Sequence, residues 1–505
     1  MSDFDLTIRG GLIVDGSGAE PFRADIGIRD GLIAAIEDDL PPAAHDIDAS
    51  GLIVTPGFVD LHTHYDGQVT WEERLTPSCY HGVTTAVIGN CGVGFAPCLP
   101  ERRDLLIRLM EGVEDIPYPV LAEGLPWTWT SFTDYLDVIA SRRYDMDVAA
   151  FIPHAALRVH VMGERGAARE AATAEDLAEM AWLLGEALDA GALGIATSRT
   201  FFHRSSDGRA IPTYGAADAE MLALARVLRA KGKGLFQIVE DVHLPDRSIA
   251  ALADIAREAQ RPLTFSMGCS NSGPYAWPGL LEQLSAANAD GVTVKAQLMP
   301  RAIGMLLGFE LTLNPFYTTA TYKQLSTLPL AERLTKLRDP AIRAAILAEP
   351  VDPDPALVLG RMVRQFETMF VLGERPDYEQ PPERSIAGLA ASRGISPEAL
   401  AYDLMTEGES GGKLYLAMAN FADGRLDAVG AMLDHPDVVL GLGDGGAHVG
   451  TICDASYSTF ALTHWVRDRP QGRKPLADMV RRMTSATASI AGFDDRGLLK
   501  PGLRA

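Results

Sequence analysis

The chain has 505 residues, of which 47% are hydrophobic and 22% charged, a composition that excludes a disordered or low-complexity protein. Its 45 basic and 67 acidic residues give a formal net charge of −22, and such a surface repels nucleic-acid phosphates. No run approaches the about 18 consecutive apolar residues that a membrane span requires. We therefore expect neither nucleic acid nor membrane among its partners.

The cysteines indicate a reducing compartment. They are odd in number and scattered, at Cys79, Cys91, Cys98, Cys269 and Cys453, which argues against a disulfide framework. The N-terminus carries acids where a signal peptide needs a basic start and an apolar stretch. The sequence thus predicts a cytoplasmic protein.

Residues 1–55 are predicted to form part of a small β-sandwich. Short apolar runs alternate there with Gly-Gly and Asp-Gly pairs, and Asp-Gly between apolar runs is a strong hairpin signal. The expected strands are Asp5–Arg9, Leu12–Asp15, Asp25–Arg29 and Leu32–Ile36.

Residues 56–488 are predicted to form an α/β domain, a (β/α)8 or TIM barrel. Eight apolar runs are joined by helical patterns, and such a barrel carries its catalytic groups at the C-terminal ends of its strands. The runs are Ile53–Leu61, Thr84–Ile88, Asp147–Ile152, Ala192–Ala196, Gly234–Val239, Pro262–Ser266, Val292–Ala296 and Val438–Leu442.

The stretch from about 300 to 430 fits no βα repeat and is interpreted as a long insertion, with a lid over the barrel mouth as one arrangement. Its aromatic residues either line an apolar acyl pocket or form the insertion's own core. These residues are Phe309, Phe316, Tyr317 and Tyr322.

The strongest signal for chemistry is the run Thr55–His64, in which an apolar strand leads into His62 and His64. Residues i and i+2 of a strand point to the same face. Two imidazoles at the C-terminal end of a barrel strand can hold one cation, so we expect a metal ion here. The alternative is two polar histidines at a strand end.

A second apolar strand ends in Asp444, far along the chain. The last strand of a barrel pairs with the first, so Asp444 is expected beside His62 and His64. A carboxylate there can bind the metal and act as general base. The alternative is a turn aspartate before Gly-Gly. His448, four residues on, either contacts substrate or orients Asp444.

A third strand runs into a glycine-rich loop that carries Cys91. A thiolate is a good zinc ligand, whereas a buried cysteine is otherwise a small hydrophobe. Arg199, His203 and Arg301 follow other predicted strands and are candidate substrate-binding residues, since Arg pairs well with a carboxylate or a polarised carbonyl. The alternative for the arginines is a structural ion pair.

Together these stretches resemble the amidohydrolase superfamily, specifically the D-aminoacylase (N-acyl-D-amino-acid deacylase) branch. The opening run Ile8–Gly18, the run His81–Thr85 and the dipeptide Pro153-His154 share the resemblance. It implies a (β/α)8 barrel, a small β-sandwich built from both termini, and amide hydrolysis by zinc-activated water. The final residues, 489–505, resemble the start of the return to that sandwich, which we expect to be truncated.

The resemblance assigns the metal ligands to His62, His64, Asp444 and Cys91. In the family, the cysteine holds zinc together with two histidines from two middle strands, and this sequence lacks both. Ile238 and Met267 lie near the two expected positions, and the nearest histidine, His243, lies downstream of the first. The basic residue that binds a substrate carboxylate in the family is also absent.

Three interpretations remain open. In the first, one zinc or other divalent ion binds to His62, His64 and Asp444, with water at an open position; two ions remain an alternative. In the second, a nearby acid or thiol replaces a missing histidine and keeps a metal at Cys91. The candidates are Glu240, Asp241 and Cys269. In the third, the site is dead and the protein is a scaffold or binding protein.

The favoured hypothesis is metal-dependent hydrolysis of a C–N amide bond in a small-molecule substrate, with Asp444 as general base and acid. The alternative enzyme is a cyclic amide or lactone hydrolase on the same barrel. The sequence decides neither the substrate nor the oligomeric state, and it is compatible with a homo-oligomer.

Overall fold

The structure, a computed structural model, describes residues 4–242, 247–269, 276–350, 358–373, 375–452 and 454–505. In these residues the chain forms a five-stranded sheet, an eight-stranded sheet and a three-stranded sheet.

The N-terminal sheet is built around strand β1, which pairs antiparallel with β2 and parallel with β4 and β5. Its strands are β1 (Leu6–Ile13), β2 (Phe22–Arg29), β3 (Leu32–Glu37), β4 (His45–Asp48) and β5 (Ile53–Val54). The two strands predicted on either side of Gly10-Gly11 are one strand, so that prediction was wrong. Gly10, at φ 67°, accommodates a bulge rather than a turn, and pairing with β2 resumes at Gly11.

The end of the chain pairs with this sheet. Backbone hydrogen bonds of 2.8 Å run from Ile33 N to Leu503 O and from Gly502 N to Ile33 O. Leu499 N donates to Asp15 O at 2.9 Å. Both ends of the chain therefore contribute to the same small domain.

The eight-stranded sheet is a parallel, nearly closed barrel, and each predicted apolar run overlaps one of its strands, which confirms the fold class. The strands are β6 (Phe58–Asp60), β7 (Val83–Ile88), β8 (Asp147–Pro153), β9 (Gly194–Ser198), β10 (Leu235–Val239), β11 (Leu263–Ser266), β12 (Val294–Leu298) and β16 (Val438–Leu440). Beyond β6 and β16 the chain closes the ring through a parallel bridge between Thr63 and Gly445.

Helices surround the barrel, and the longer ones present an apolar stripe to it. In α8, for example, Ile249, Leu252, Ala256 and Ala259 are buried at helical spacing. The barrel helices are α1 (Arg103–Glu114), α2 (Tyr118–Gly124), α3 (Phe132–Ala140), α4 (His154–Met162), α5 (Glu164–Ala167), α6 (Ala174–Ala190), α7 (Asp218–Lys231), α8 (Ile249–Ala259), α9 (Trp277–Ala289), α16 (Asp427–Leu433), α17 (Tyr457–Phe460), α18 (Leu476–Met483) and α19 (Ser485–Ala491).

Between β12 and β16 lies the insertion, with its own antiparallel sheet and core. Its elements are β13 (Ile303–Leu307), α10 (Ala320–Leu325), α11 (Leu330–Leu337), α12 (Pro340–Ala348), α13 (Val358–Met362), β14 (Met369–Val371), α14 (Ile386–Arg393), α15 (Pro397–Thr406) and β15 (Leu414–Ala419). Phe309, Phe316 and Tyr322 are buried in that core with Tyr317 packed against it, so these aromatic residues do not line an acyl pocket.

The insertion is attached to the loop that follows β16. Thr312 N donates to Gly450 O at 3.0 Å, and Leu306 N donates to Thr451 O at 2.5 Å. The insertion therefore meets the C-terminal end of the barrel, where the predicted site residues lie.

Among the described residues, no helix combines the length and the apolar character needed to cross a bilayer. The four described cysteines, Cys79, Cys91, Cys98 and Cys269, carry free thiols, whereas Cys453 lies outside the described residues.

Candidate metal centre

Three buried donor atoms meet at the C-terminal end of the barrel. His62 Nε2 lies 3.3 Å from Cys91 Sγ, and Cys91 Sγ lies 3.9 Å from His64 Nε2. The ligand atoms of all three residues lie within 4.8 Å of one another. Nitrogen and sulfur donors at this spacing are typical of a zinc site.

The end of β6, the first strand of the barrel, places His62 and His64. Its last residue, Asp60, accepts a hydrogen bond from His62 N at 3.1 Å through Oδ1. His64 N donates to Gly445 O at 2.8 Å, and Asp444 N donates to His62 O at 3.0 Å. The backbone that closes the barrel therefore also brings the first and last strand ends together.

His62 is oriented by a residue of β12, the second strand from β6 in the ring. Gln297, on β12, accepts a hydrogen bond from His62 Nδ1 at 2.8 Å, and its amide nitrogen donates to Thr264 Oγ1 at 3.1 Å. An imidazole that donates through Nδ1 keeps the lone pair of Nε2 free for a cation. Gln297 and Thr264 are positioning residues that the sequence analysis missed.

The loop after β7 places Cys91. Its backbone is left-handed at Gly89, Cys91 and Gly92, with φ of 82°, 55° and 68°. A Cβ atom at Gly92 would lie 2.7 Å from Thr197 Cα, so only glycine allows the loop to approach β9 this closely. Gln237 Oε1, on β10, accepts a hydrogen bond from Cys91 N at 3.2 Å.

Asp444 lies beside both histidines, because its Oδ1 is 3.6 Å from the Nε2 atoms of His62 and His64. Burial by itself raises the pKa of Asp444. Contact with His64, and the positive charge that His62, His64 and His448 carry when protonated, outweigh burial and hold that pKa below its usual range. Asp444 is therefore a carboxylate at neutral pH.

Glu114, the last residue of α1, is a further acid in this centre that the sequence analysis missed. Its Oε2 lies 3.3 Å from His64 Nε2 and 3.6 Å from His448 Nε2. The one available signal was its place four residues after the buried Met110, which puts a charge on the apolar face of α1.

Burial dominates the protonation of the centre. It lowers the pKa of His64 to about 4 and also lowers that of His62. Burial, reinforced by the charges of Asp444 and Asp66, raises the pKa of Glu114 well above its usual value. Burial and the charges of Glu114, Asp444 and Asp66 likewise raise the pKa of the Cys91 thiol. The imidazoles are thus neutral, which is the form that binds metal.

The donor set fits a divalent cation. Within the part of the chain that the structure describes, Asp444 Oδ1 and Glu114 Oε1 are buried and have no hydrogen-bond partner. Buried carboxylate oxygens without a donor are costly unless a cation compensates them. The centre therefore combines two neutral imidazoles, one thiol and two acids around a space suited to positive charge.

Two further histidines lie at the edge of this centre. His448 Nε2 lies 3.9 Å from Asp444 Oδ2. His203 Nδ1 lies 2.9 Å from Ser198 Oγ. Burial, followed by the charges of His64 and the neighbouring histidines, lowers the pKa of His203 to about 3. Both residues thus lie within electrostatic reach of the candidate metal ligands.

The two predicted substrate-binding arginines have structural partners instead. Arg199 donates to Glu240 Oε2 and to Asp218 Oδ1, both at 2.6 Å. Arg301 forms an ion pair with Asp454 and stacks its guanidinium over Tyr378 at 4.4 Å from the ring centroid. These contacts favour the ion-pair alternative and give substrate binding by either arginine no support.

The ends of β10 and β11, where the family has its two metal-binding histidines, offer no substitute ligand among the described residues. Ile238 and Met267 are buried apolar side chains. The acids and thiol considered as replacements have other partners, and His243 lies outside the described residues. Those partners are Arg199 for Glu240, Thr200 and Phe201 for Asp241, and Asn420 for Cys269.

The sequence model of the amidohydrolase family matches residues 46–505, which make up most of the chain. The chain belongs to the amidohydrolase family. It is 29% identical to a D-aminoacylase of Alcaligenes xylosoxydans xylosoxydans over 523 residues, which cover 99% of this chain and 86% of that protein.

Two solved structures share the fold of this amidohydrolase. A D-aminoacylase matches it with a TM-score of 0.63 at 24% identity, covering 99% of this chain and 89% of that one. An N-acyl-D-glutamate deacylase from Bordetella bronchiseptica, solved with zinc and a phosphonate that mimics the tetrahedral intermediate, gives a TM-score of 0.62 at 25% identity, with the same coverage. The resemblance to the D-aminoacylase branch is thereby confirmed. The protein is a hydrolase of C–N bonds other than peptide bonds, and the scaffold interpretation is not supported.

Proposed function

We propose that this amidohydrolase removes the acyl group from an N-acyl amino acid by metal-dependent hydrolysis. The observation that carries the proposal is the convergence of His62, His64 and Cys91 within 4.8 Å, with the Asp444 carboxylate 3.6 Å from both imidazoles. The D-aminoacylase relative supports the substrate class.

His62, His64, Cys91 and Asp444 would hold one zinc ion. When bound, such an ion polarises the substrate carbonyl and makes water a stronger nucleophile at neutral pH. The protein holds the neutral imidazoles in place through Gln297 and the strand backbone. Because the donor atoms are buried, bulk water does not compete for them.

Asp444 is proposed as the group that moves the proton. As a carboxylate at neutral pH, it can accept a proton from the attacking water and deliver it to the leaving nitrogen as the C–N bond breaks. His448 Nε2, 3.9 Å from Asp444 Oδ2, is proposed to orient that carboxylate or to contact the substrate. His203 is proposed as a substrate contact because of its place beside the histidines.

The test compares wild-type protein with Asp444→Asn on N-acetyl-D- and N-acetyl-L-amino acids, hydantoins and lactones. We expect hydrolysis of at least one N-acetyl amino acid, and a loss of kcat of about a hundredfold or more in Asp444→Asn. Circular dichroism should show the fold of that variant unchanged. Turnover of hydantoins or lactones alone would favour the cyclic-substrate alternative, and full activity of Asp444→Asn would refute the proposed mechanism.

A further inference from the structure

The metal centre contains an acid that no sequence motif marks. Glu114 is 1% exposed, and its Oε1 has no hydrogen-bond partner among the described residues. Its Oε2 faces the metal-binding nitrogen of His64 at 3.3 Å. Glu114 reaches the C-terminal end of the barrel from helix α1, whereas the other proposed ligands follow barrel strands.

From this placement we infer that Glu114 is an additional protein ligand of the metal centre. The inference rests on the proposed function, because it presupposes that His62, His64 and Cys91 bind a metal ion. It gives the centre a further carboxylate ligand in place of the two histidines that the family places on the middle strands.

The distances around His64 match those of ligands that share one ion. Two donor atoms that bind the same zinc ion at about 2.0–2.3 Å lie roughly 3–4 Å from each other. His64 Nε2 has two neighbours in that range, Glu114 Oε2 at 3.3 Å and Asp444 Oδ1 at 3.6 Å. His62 Nε2 and Cys91 Sγ show the same spacing at 3.3 Å.

The end of α1 is held firmly at this place. Glu114 O accepts a hydrogen bond from His448 N at 2.5 Å. The next residue, Asp115, has a left-handed backbone with φ 53°. Its carboxylate accepts from Gly450 N and from Thr312 Oγ1, each at 2.9 Å. The loop after β16 and the insertion thus fix the helix end that presents Glu114.

The energetic cost of this arrangement also points to a cation. Glu114 and Asp444 are two acids facing the same imidazole in a buried place. Ionising both acids in this buried place is costly without a compensating positive charge. A divalent cation between them would offset both charges. The competing role for Glu114 is an ion pair with a protonated His448, at 3.6 Å.

The experiment compares wild-type protein with Glu114→Gln, which removes the charge but keeps the shape. Zinc affinity is measured by chelator competition on metal-free protein, and the ligand set is followed by the visible absorption of bound cobalt. We expect zinc affinity to fall about 10- to 100-fold. We also expect the visible absorption spectrum of bound cobalt to change. Glu101→Gln, an exposed acid near the start of α1, is the control and should behave as wild type.

Unchanged zinc affinity and an unchanged cobalt spectrum in Glu114→Gln would overturn the inference and favour the ion pair with His448. If Glu114→Gln does not fold, Glu114→Asp provides the same comparison, because the shorter side chain withdraws the carboxylate and should also weaken zinc binding. His62→Ala separates the two proposals. Loss of zinc in His62→Ala but not in Glu114→Gln refutes this inference alone, whereas wild-type protein that binds no metal refutes both.

Discussion

His62 and Gln297 are joined by a 2.8 Å hydrogen bond although they are 235 residues apart in sequence. The bond links β12 to the end of β6, two strands that lie on either side of β16 in the nearly closed ring. The amide oxygen of Gln297 accepts a hydrogen bond from Nδ1–H of His62, so the lone pair of Nε2 is left to bind a cation. The ligand geometry therefore depends on a residue that has no place in the His-x-His motif.

This relationship predicts the effect of Gln297→Leu. Loss of the acceptor frees the imidazole to rotate and change tautomer, so zinc affinity should fall about 10- to 100-fold. Gln297→Glu keeps an acceptor oxygen and should retain more of the affinity than Gln297→Leu. Chelator competition on both variants measures the difference. Equal affinity in Gln297→Leu and wild type would show that the bond does not orient His62.

Cys91→Ser should weaken zinc binding more than any other cysteine substitution. Its sulfur lies 3.3 Å from His62 Nε2, and a serine hydroxyl is a poor replacement for a zinc thiolate. The matched control is Cys98→Ser, since Cys98 is also buried and free but lies against Leu99 O. Metal analysis after dialysis should show a loss of zinc only in Cys91→Ser. Full zinc content in that variant would remove Cys91 from the ligand set.

Arg199→Met should destabilise the fold rather than alter substrate binding. Removing one partner of a buried ion pair costs about 3–5 kcal/mol, and here Arg247, 3.7 Å from Glu240, should keep the loss near the lower end. Denaturant unfolding measures this change, and the double variant Arg199→Met/Glu240→Gln should recover part of the stability. The KM of the folded variant should stay within about twofold of wild type. A large rise in KM without loss of stability would restore Arg199 to the substrate site.

The sequence predicted those parts of the fold and site that depend on short, continuous stretches of the chain. Eight apolar runs were enough to predict the barrel, and His62, His64 and Asp444 follow strands whose pairing is dictated by barrel closure. The bulge at Gly10 was misread as a turn, because a glycine pair permits either and only pairing with β2 decides between them.

The rest of the site depends on contacts between distant segments. Glu114 reaches the metal centre from a helix end, and no local pattern shows which part of the barrel that end will meet. Arg199 shows the opposite failure, because its place after a strand suggested function. Its contact with Glu240, 41 residues away, favours a structural role. Position at a strand end identifies a candidate, and only the partner decides its role.

Metal dependence is the central claim, and titration of metal-free protein with zinc tests it most directly. The protein is stripped with a chelator and zinc is added in steps. Zinc binding is measured at each step together with hydrolysis of the N-acyl amino acid that we propose as substrate. The account predicts that stripped protein is inactive and that activity rises with occupancy of the first zinc ion. Full hydrolytic activity in protein shown by elemental analysis to contain no metal would contradict it.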